Sequence, residues 1–503
     1  VAFIGMVLFL TRDFGKLFKA PAKIERQANS YQLNGFQRVL IGLAAGLILI
    51  YPMSSIISLK PSKELVGGKE FPNIVLVTVD GLNASRLSGF GYHRYTTPFL
   101  DGLIKKGITN AFHYTNAANT TGSITSILTG KLPTTTRVIY PPDILRGKDR
   151  FEHLPAILNN SGFYTAQFGV KTYVDANDVN FLDGFDEVNG RQGLMSTAID
   201  RFFPELASEY SFFLLWLMDH YSQRTSHVFF LSTMEDQMET VSGSNAIFLQ
   251  DSQKFDSTID LIRNSEKPVF SHIHIMGTHG PFFYPASRLF SAWKDISLQS
   301  EWDGDLYDDA IVDLDNQIRS FVSELAQDTP AEKLLLILTS DHGQNYNVRV
   351  RIPLIIYDSD VTVPITLHSE TQNLDIPPTI LRIIGLEVPG WMKGKNLLLK
   401  EDTDQYPIFS TAATHVIMME DGQWLLDSKK INEPFYQFGY FQVLHNSKWL
   451  EFDLMSGVSD HGYLSNPVLS VDSDLSSDEY LAALIFDQLR ADGFNFKLNF
   501  FKD

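Results

Sequence analysis

Cysteine is missing from all 503 residues, which excludes disulfides, thiolate-held zinc, iron–sulfur clusters and thiol nucleophiles together. Its absence leaves the compartment open, because an exported protein can do without it. Basic residues are in deficit: 41 Lys and Arg stand against 59 Asp and Glu, a formal net charge of −18. A phosphate backbone needs a basic face, so nucleic acid is excluded as a main partner. Internal repeats and long low-complexity tracts are also missing. Hydrophobic residues reach 44% and charged residues 20%, which excludes a disordered chain and permits a large core.

Long apolar runs are scarce, with one exception. Residues 39–59 read VLIGLAAGLILIYPMSSIISL between Arg38 and Lys60, without an internal charge. Such a run, about 20 residues, matches the hydrocarbon thickness of a bilayer, so a transmembrane helix is expected there. It starts too deep in the chain and is too long for a cleaved signal peptide. Residues 1–10, VAFIGMVLFL, are too short to span and read as the stump of an earlier span. Arg12, Lys16, Lys19, Lys23, Arg26 and Arg38 outnumber Asp13 and Glu25 between the two runs. That charge bias keeps the loop in the cytoplasm and places the chain from Lys60 onward outside it. The expected location is the cell (inner) membrane, with a globular domain outside the cytoplasm. Residues 209–218, EYSFFLLWLM, are too short to span and fit either a core helix or an interfacial segment.

Beyond the linker PSKELVGGKE, residues 73–79 form a β-branched run ending in Asp80-Gly81, the pattern of a central parallel strand. Runs of the same type occupy 268–276, 333–343 and 351–358. Helical stretches intervene at 96–107, 151–162, with Gly162 as C-cap, and 374–385; Ser476 to Glu479 reads as a capping box opening a helix that stops before Gly493. Strands alternating with helices predict an α/β sheet covered on both faces, with ligands beyond the carboxyl ends of the strands.

Three positions at those ends carry chemistry. Asp80 closes the first strand, Asp341-His342 closes LLLILTS, and His279 follows HIHIM in the turn GTHGP. Two carboxylates and an imidazole suit one divalent cation, Zn²⁺, Mn²⁺, Mg²⁺ or Ca²⁺. A fourth element, Asn119-Thr120-Thr121-Gly122-Ser123 and the apolar stretch to Gly130, places hydroxyls at a helix N-terminus, where an anion such as phosphate is favoured. A threonine hydroxyl attacks well only when a metal lowers its pKa. His272 and His274 share one strand face, so His274 is a candidate for lining the site.

These segments together are similar to one family. NIVLVTVDGLNASRLSGFGYHRYTTPFLDGLIKKG and TNAANTTGSITSILTGKLP, followed in order by SGFYTAQFGVKTY, GFDEV, HIMGTHGPFFYP, LTSDHG, VRIPLIIYD, LDIPPTILRIIG and WLEFDL, resemble the sulfatase-type branch of the alkaline phosphatase superfamily. The resemblance covers about residues 68 to 460. It implies an alkaline-phosphatase-like mixed sheet with helices on both faces, preceded by the transmembrane segment. It divides the chain into an anchor (1–66), a sulfatase-like catalytic domain (67–400) and a C-terminal subdomain completing the same fold (401–503).

The resemblance also implies that Asp80, Asp341 and His342 ligate the metal, that the nucleophile position falls on Thr120, itself a ligand, and that His279 contacts the substrate phosphate. True sulfatases carry a formylglycine motif there; this chain has Thr120, then Gly122 and Ile124 where Pro and Arg are expected. Threonine at that position resembles membrane-anchored phosphoethanolamine transferases and lipoteichoic-acid synthases, implying a phospho-threonine intermediate. Gly81 replaces a second Asp, which suits a single metal. Lys171 stands one place beyond the family lysine, and the short loop QNYNVR offers Asn345, Asn347 and Arg349. Asn119, Lys171, His274 and Arg349 are therefore candidate substrate-binding residues. The implied substrate is a phosphate or sulfate ester of a lipid head group or envelope glycan. VDGLNASR and NTT also resemble a bacterial inner-membrane branch that senses lipopolysaccharide with little or no catalysis, so a silent module binding lipid or a protein partner is the alternative.

Overall fold

Strict alternation along the apolar strands sets the architecture. In the computed structural model, which describes residues 71–192, 247–327, 333–359, 364–398, 406–418, 424–464 and 477–497, β1 (Asn73–Val79) is buried at every position. Ile74 and Leu76 point to one face of the sheet, where they pack with Ile124, Ile127, Leu128, Leu158 and Ile380. Val75, Val77 and Val79 point to the other, against Phe255, Ile259, Leu306, Ile311 and Phe321. A strand buried on both faces must be apolar throughout, which is why its sequence reads as a continuous run.

The main sheet contains ten strands among the described residues. They are β1, β2 (Ile108–Tyr114), β3 (Tyr164–Phe168), β4 (Glu187–Val188), β5 (Arg191–Gln192), β6 (Val269–Ile275), β7 (Leu334–Ser340), β8 (Ile352–Asp358), β9 (Ile365–Leu367) and β10 (Thr371–Gln372). The order is β10-β2-β8-β7-β1-β6-β3-β4-β5, with β9 also paired to β2. β1 runs parallel to both β6 and β7, whereas β8 is antiparallel to β7. The expected mixed α/β sheet is therefore what the chain adopts, with the four strands read from sequence at its centre.

Helices α1 (Pro98–Ile104), α2 (Thr120–Thr129), α3 (Leu154–Asn160), α4 (Ile247–Asn264), α5 (Gly304–Leu325) and α6 (Ile376–Ile383) accompany this sheet. α2 ends where Gly130 takes a left-handed φ of 66°. Gly162 does the same for α3 at 102°, one residue past its C-cap Ser161. α5 spends buried acids on loops: Asp309 accepts backbone N–H groups of Leu289, Phe290 and Ser291, and Asp313 those of Ala286 and Ser287.

A second sheet has the order β11 (Ile408–Ala413), β14 (Phe438–His445), β15 (Lys448–Asp453), β16 (Ser459–Tyr463), beside a hairpin of β12 (Val416–Met418) and β13 (Trp424–Leu426). Helix α7 (Asp478–Ala491) packs Leu481, Ile485 and Leu489 onto Phe441, Val443, Leu450 and Phe452. The expected capping box is only half made. Ser477 is the N-cap and accepts from Tyr480 N at 3.2 Å, so the position that should reciprocate is a tyrosine rather than Glu479.

The chain divides into two units, residues 1–63 and 64–503, and the described residues all belong to the second. The apolar runs 1–10, 39–59 and 209–218 lie outside the described residues. Among the described residues no helix is long and apolar enough to cross a membrane.

Histidines buried inside this fold make its stability pH-dependent. His153 caps α3 by accepting from Ala156 N at Nδ1 while Nε2 donates to the carbonyls of Arg150 and Leu182. Burial drives its pKa down to about 4, and that of His113 to about 3. Their folded pKa values are depressed, so the unfolded chain takes protons that the native chain refuses as pH falls from 6.5 toward 4. Urea unfolding should therefore show stability lost across that window. His153→Asn keeps an acceptor for Ala156 N and should flatten the slope by one proton; unchanged slopes would refute this assignment.

Candidate metal centre

Strand register brings the candidate ligands together before any side chain is considered. Val79 pairs with Ser340 between adjacent parallel strands, so Asp80 and Asp341 leave the sheet side by side at its carboxyl edge. Short polar groups then lock this edge. Ser340 Oγ shares its proton between Val79 O and His342 O and accepts from Leu82 N. Thr278 Oγ1 donates to Asp80 O at 2.5 Å, and the hydroxyls of Thr115 and Ser123 both donate to Asp341 O. Gly81 sits at φ 66°, a conformation a side chain would strain, and its N–H donates to Asp341 Oδ1 at 3.1 Å.

Oδ1 of Asp341 also accepts from His342 N at 2.7 Å, whereas the buried Oδ2 has no hydrogen-bond partner. His342 Nδ1 faces Gly343 O at 3.0 Å, which fixes the proton there and leaves the Nε2 lone pair free. Nε2 lies 3.4 Å from Asp341 Oδ2 and 3.7 Å from Asp80 Oδ1. One ligand atom from each of the three lies within 4.8 Å of the others, all buried. Burial opposes ionisation of Asp80, yet His279, His342 and His274 hold its carboxyl well below the usual range. Burial and then Asp80 push Asp341 upward. His342 is pushed up as well, because Asp341 and Asp80 outweigh the effect of burial. Two buried carboxylates with an orphaned oxygen, plus an imidazole lone pair, fit a hard divalent cation.

Thr120 opens α2 beside this cluster, with Oγ1 3.4 Å from both Asp80 Oδ2 and His342 Nε2. Its hydroxyl is not part of a capping cluster. Asn119 makes no side-chain cap, and Thr121 donates to Tyr173 O. Asn119 Oδ1 instead accepts from Ala413 N at 2.7 Å, while Ala118 N and Thr411 O, and Thr411 N and Asn116 O, bond the approach to α2 onto β11. The second sheet thus positions Thr120.

His279 is half-buried above the cluster, close enough to act electrostatically on Asp80. His274 is fully buried, with Nε2 3.6 Å from Asp80 Oδ2. Lys171 is half-buried, and its side chain bonds to none of the described residues. Arg349 is committed elsewhere: it donates to Gln442 and Glu451 and stacks on Trp449 with its guanidinium carbon 3.5 Å from the ring centroid. Its three partners lie on β14 and β15, a pairing invisible along the chain. Asn345 and Asn347 are exposed in the tight turn after His342. Sequence reasoning missed Tyr346 in that turn. It holds φ 56°, next to Asn345 at 59°, and its ring lies 5.0 Å from that of His342 and 6.5 Å from that of His279. A bulky residue held in the left-handed region four positions after His342 was the missing structural fact.

With this geometry in hand, relatives can be compared. The family described as Sulfatase matches residues 72–386. Lipoteichoic acid synthase 2 of Bacillus subtilis (strain 168) is 20% identical over 382 residues, covering 69% of this chain and 50% of that protein. An arylsulfatase of Hemicentrotus pulcherrimus is 21% identical over 358 residues, 63% of this chain and 59% of its own. The chain spans about half the length of the curated relatives it matches. A crystal structure of an alkaline phosphatase superfamily protein from Vibrio parahaemolyticus shares the fold, with a TM-score of 0.51 at 16% identity, covering 90% of this chain and 97% of that one.

The unneutralised carboxylate pair predicts opposite stability effects with and without metal. In metal-free protein Asp341→Asn should raise the melting temperature by removing repulsion against Asp80. In Zn²⁺ or Mn²⁺ the wild type should gain stability and the variant should not, its affinity falling at least about 100-fold, more than loss of an outer-shell partner costs. Equal affinities by calorimetry would remove Asp341 from the ligand set.

Proposed function

We infer function from one premise: the chain belongs to the sulfatase family, as a sulfatase-like hydrolase or transferase. We propose that it transfers a phosphoryl or substituted phosphoryl group through Thr120, with one divalent cation held by Asp80, Asp341 and His342. The observation that carries this reading is the Thr120 hydroxyl, 3.4 Å from both Asp80 Oδ2 and His342 Nε2. Bound there, a divalent cation supplies the Lewis acidity that lowers the pKa of the Thr120 hydroxyl and offsets charge on the ester.

The rest is done by the protein. Asp80 Oδ2 and His342 Nε2 fix Oγ1 at the mouth of α2, whose dipole favours the incoming anion. Thr120 gives up its hydroxyl proton to solvent and attacks phosphorus, and the bond to the leaving alkoxide breaks as the new one forms. His279, on the rim, holds the phosphate or protonates that alkoxide. Water or an acceptor hydroxyl then displaces the group from Thr120. The complete donor set favours an enzyme over a silent module, which has no need to bury two carboxylates side by side.

Similarity to a lipoteichoic acid synthase supports a lipid head group or envelope glycan ester as substrate. The apolar run 39–59 and the basic segment before it support a membrane anchor with the catalytic domain outside the cytoplasm. Intact-mass analysis after incubation with phospholipid and aryl phosphodiester substrates should find a phospho-adduct on Thr120. Thr120→Ser should retain turnover and Thr120→Ala should reduce it to background. Unchanged turnover in Thr120→Ala would end this mechanism.

A further inference from the structure

The sheet face packed against α2 carries a connected row of polar side chains beside its apolar core. Gln167 of β3, His272 and His274 of β6, and Thr78 of β1 are all fully buried there. Register sets Gln167 beside His272 and Thr78 beside His274 across three adjacent strands. Leu76 and Phe270, on the same face, belong to the apolar core. Buried polar groups in such a place survive only if their hydrogen bonds are arranged in one consistent direction.

A backbone amide sets that direction. Ala176 N can only donate, and it donates to Gln167 Oε1 at 2.7 Å. Gln167 therefore presents its amide nitrogen to His272 Nδ1, 3.1 Å away. His272 is fully buried with Nδ1 accepting from Gln167, and burial drives its pKa down to about 3, so this ring is neutral. With Nδ1 accepting, its proton sits on Nε2, which donates to Thr78 Oγ1 at 2.9 Å. The Thr78 hydrogen can go to His274 Nδ1 at 2.9 Å or to Ile273 O at 3.4 Å, and the shorter contact takes it. His274 Nδ1 then accepts and Nε2 carries the proton. Nε2 has no hydrogen-bond partner, but it points at Asp80 Oδ2 from 3.6 Å. The reverse tautomer would set a lone pair against a carboxylate oxygen in a buried site, a repulsive contact.

We propose that the Gln167–His272–Thr78–His274 relay fixes His274 as an N–H donor to Asp80, making it a positioning residue for the cation-binding carboxylate rather than a ligand. This rests on the metal reading above for its purpose, though not for its geometry. With its N–H directed at Oδ2 from 3.6 Å, His274 biases the Asp80 carboxylate electrostatically and keeps a donor, in place of a competing lone pair, on the β6 side of the site. Such outer-shell donors to ligating groups tune metal affinity.

The test is made on the full chain with ¹⁵N-labelled histidine rings, free of metal, by long-range proton–nitrogen correlation. His274 should show the Nε2–H form; Thr78→Val should lose that preference and Thr78→Ser should restore it. In calorimetric titration with Zn²⁺ alone, His274→Ala should weaken binding 10- to 100-fold and His274→Gln, which returns an N–H donor, should recover to within about threefold. An Nδ1–H form in the wild type, or a His274 Nε2 resonance that shifts on Zn²⁺ addition as a ligand nitrogen does, would overturn the proposal. A wild type that shows the Nε2–H form but binds neither Zn²⁺ nor Mn²⁺ would support the relay and strike the metal reading instead.

Discussion

Two carboxylates buried side by side repel each other, and the site is built around that repulsion. Asp80 and Asp341 are delivered to adjacent positions by the parallel pairing of β1 and β7, with almost no solvent to screen them. Every neighbouring device follows from this. Backbone N–H groups of Gly81 and His342 neutralise one oxygen of Asp341, and three histidines face Asp80. What they leave unsatisfied is Asp341 Oδ2, close to Asp80 and to the His342 Nε2 lone pair, an arrangement that a hard cation would complete.

The second sheet earns its place through the same point. Its strand β11 bonds to residues 116–119, so the segment entering α2 is held from outside the main sheet and Thr120 is presented at a fixed height above Asp80. Arg349 is drawn into that sheet by Glu451, Gln442 and Trp449, leaving the short loop after His342 with Tyr346 as its largest group over the site. The acidity of the chain is likewise partly structural: on α5, buried Asp309 and Asp313 accept backbone N–H groups from neighbouring loops, and buried Asp315 accepts those of the first turn of α1.

Much of this could be read along the chain. The four central strands were visible because burial on both faces forces a continuous apolar run, and α2 because a hydroxyl-rich turn and a closing Gly130 bracket an apolar stretch. Asp80, Asp341 and His342 stood out because polar residues directly after such strands must lie at the edge of the sheet. Arg349 and Asn119 were harder. Both have side chains able to bind an anion, but their partners, Glu451 and Ala413, lie 102 and 294 residues away.

Sequence alone therefore determined the family pattern, the candidate ligands at the strand ends and the hydroxyl beside them, since each depends on local periodicity and on what a strand end must expose. Tertiary structure decided which donors remain free. Only the register of β3, β6 and β1 lines up Gln167, His272, Thr78 and His274, and only the packing of the second sheet removes Arg349 from service. Hydrogen-bond direction and charge pairing are set by neighbours in space, and no spacing along a chain encodes which neighbour arrives.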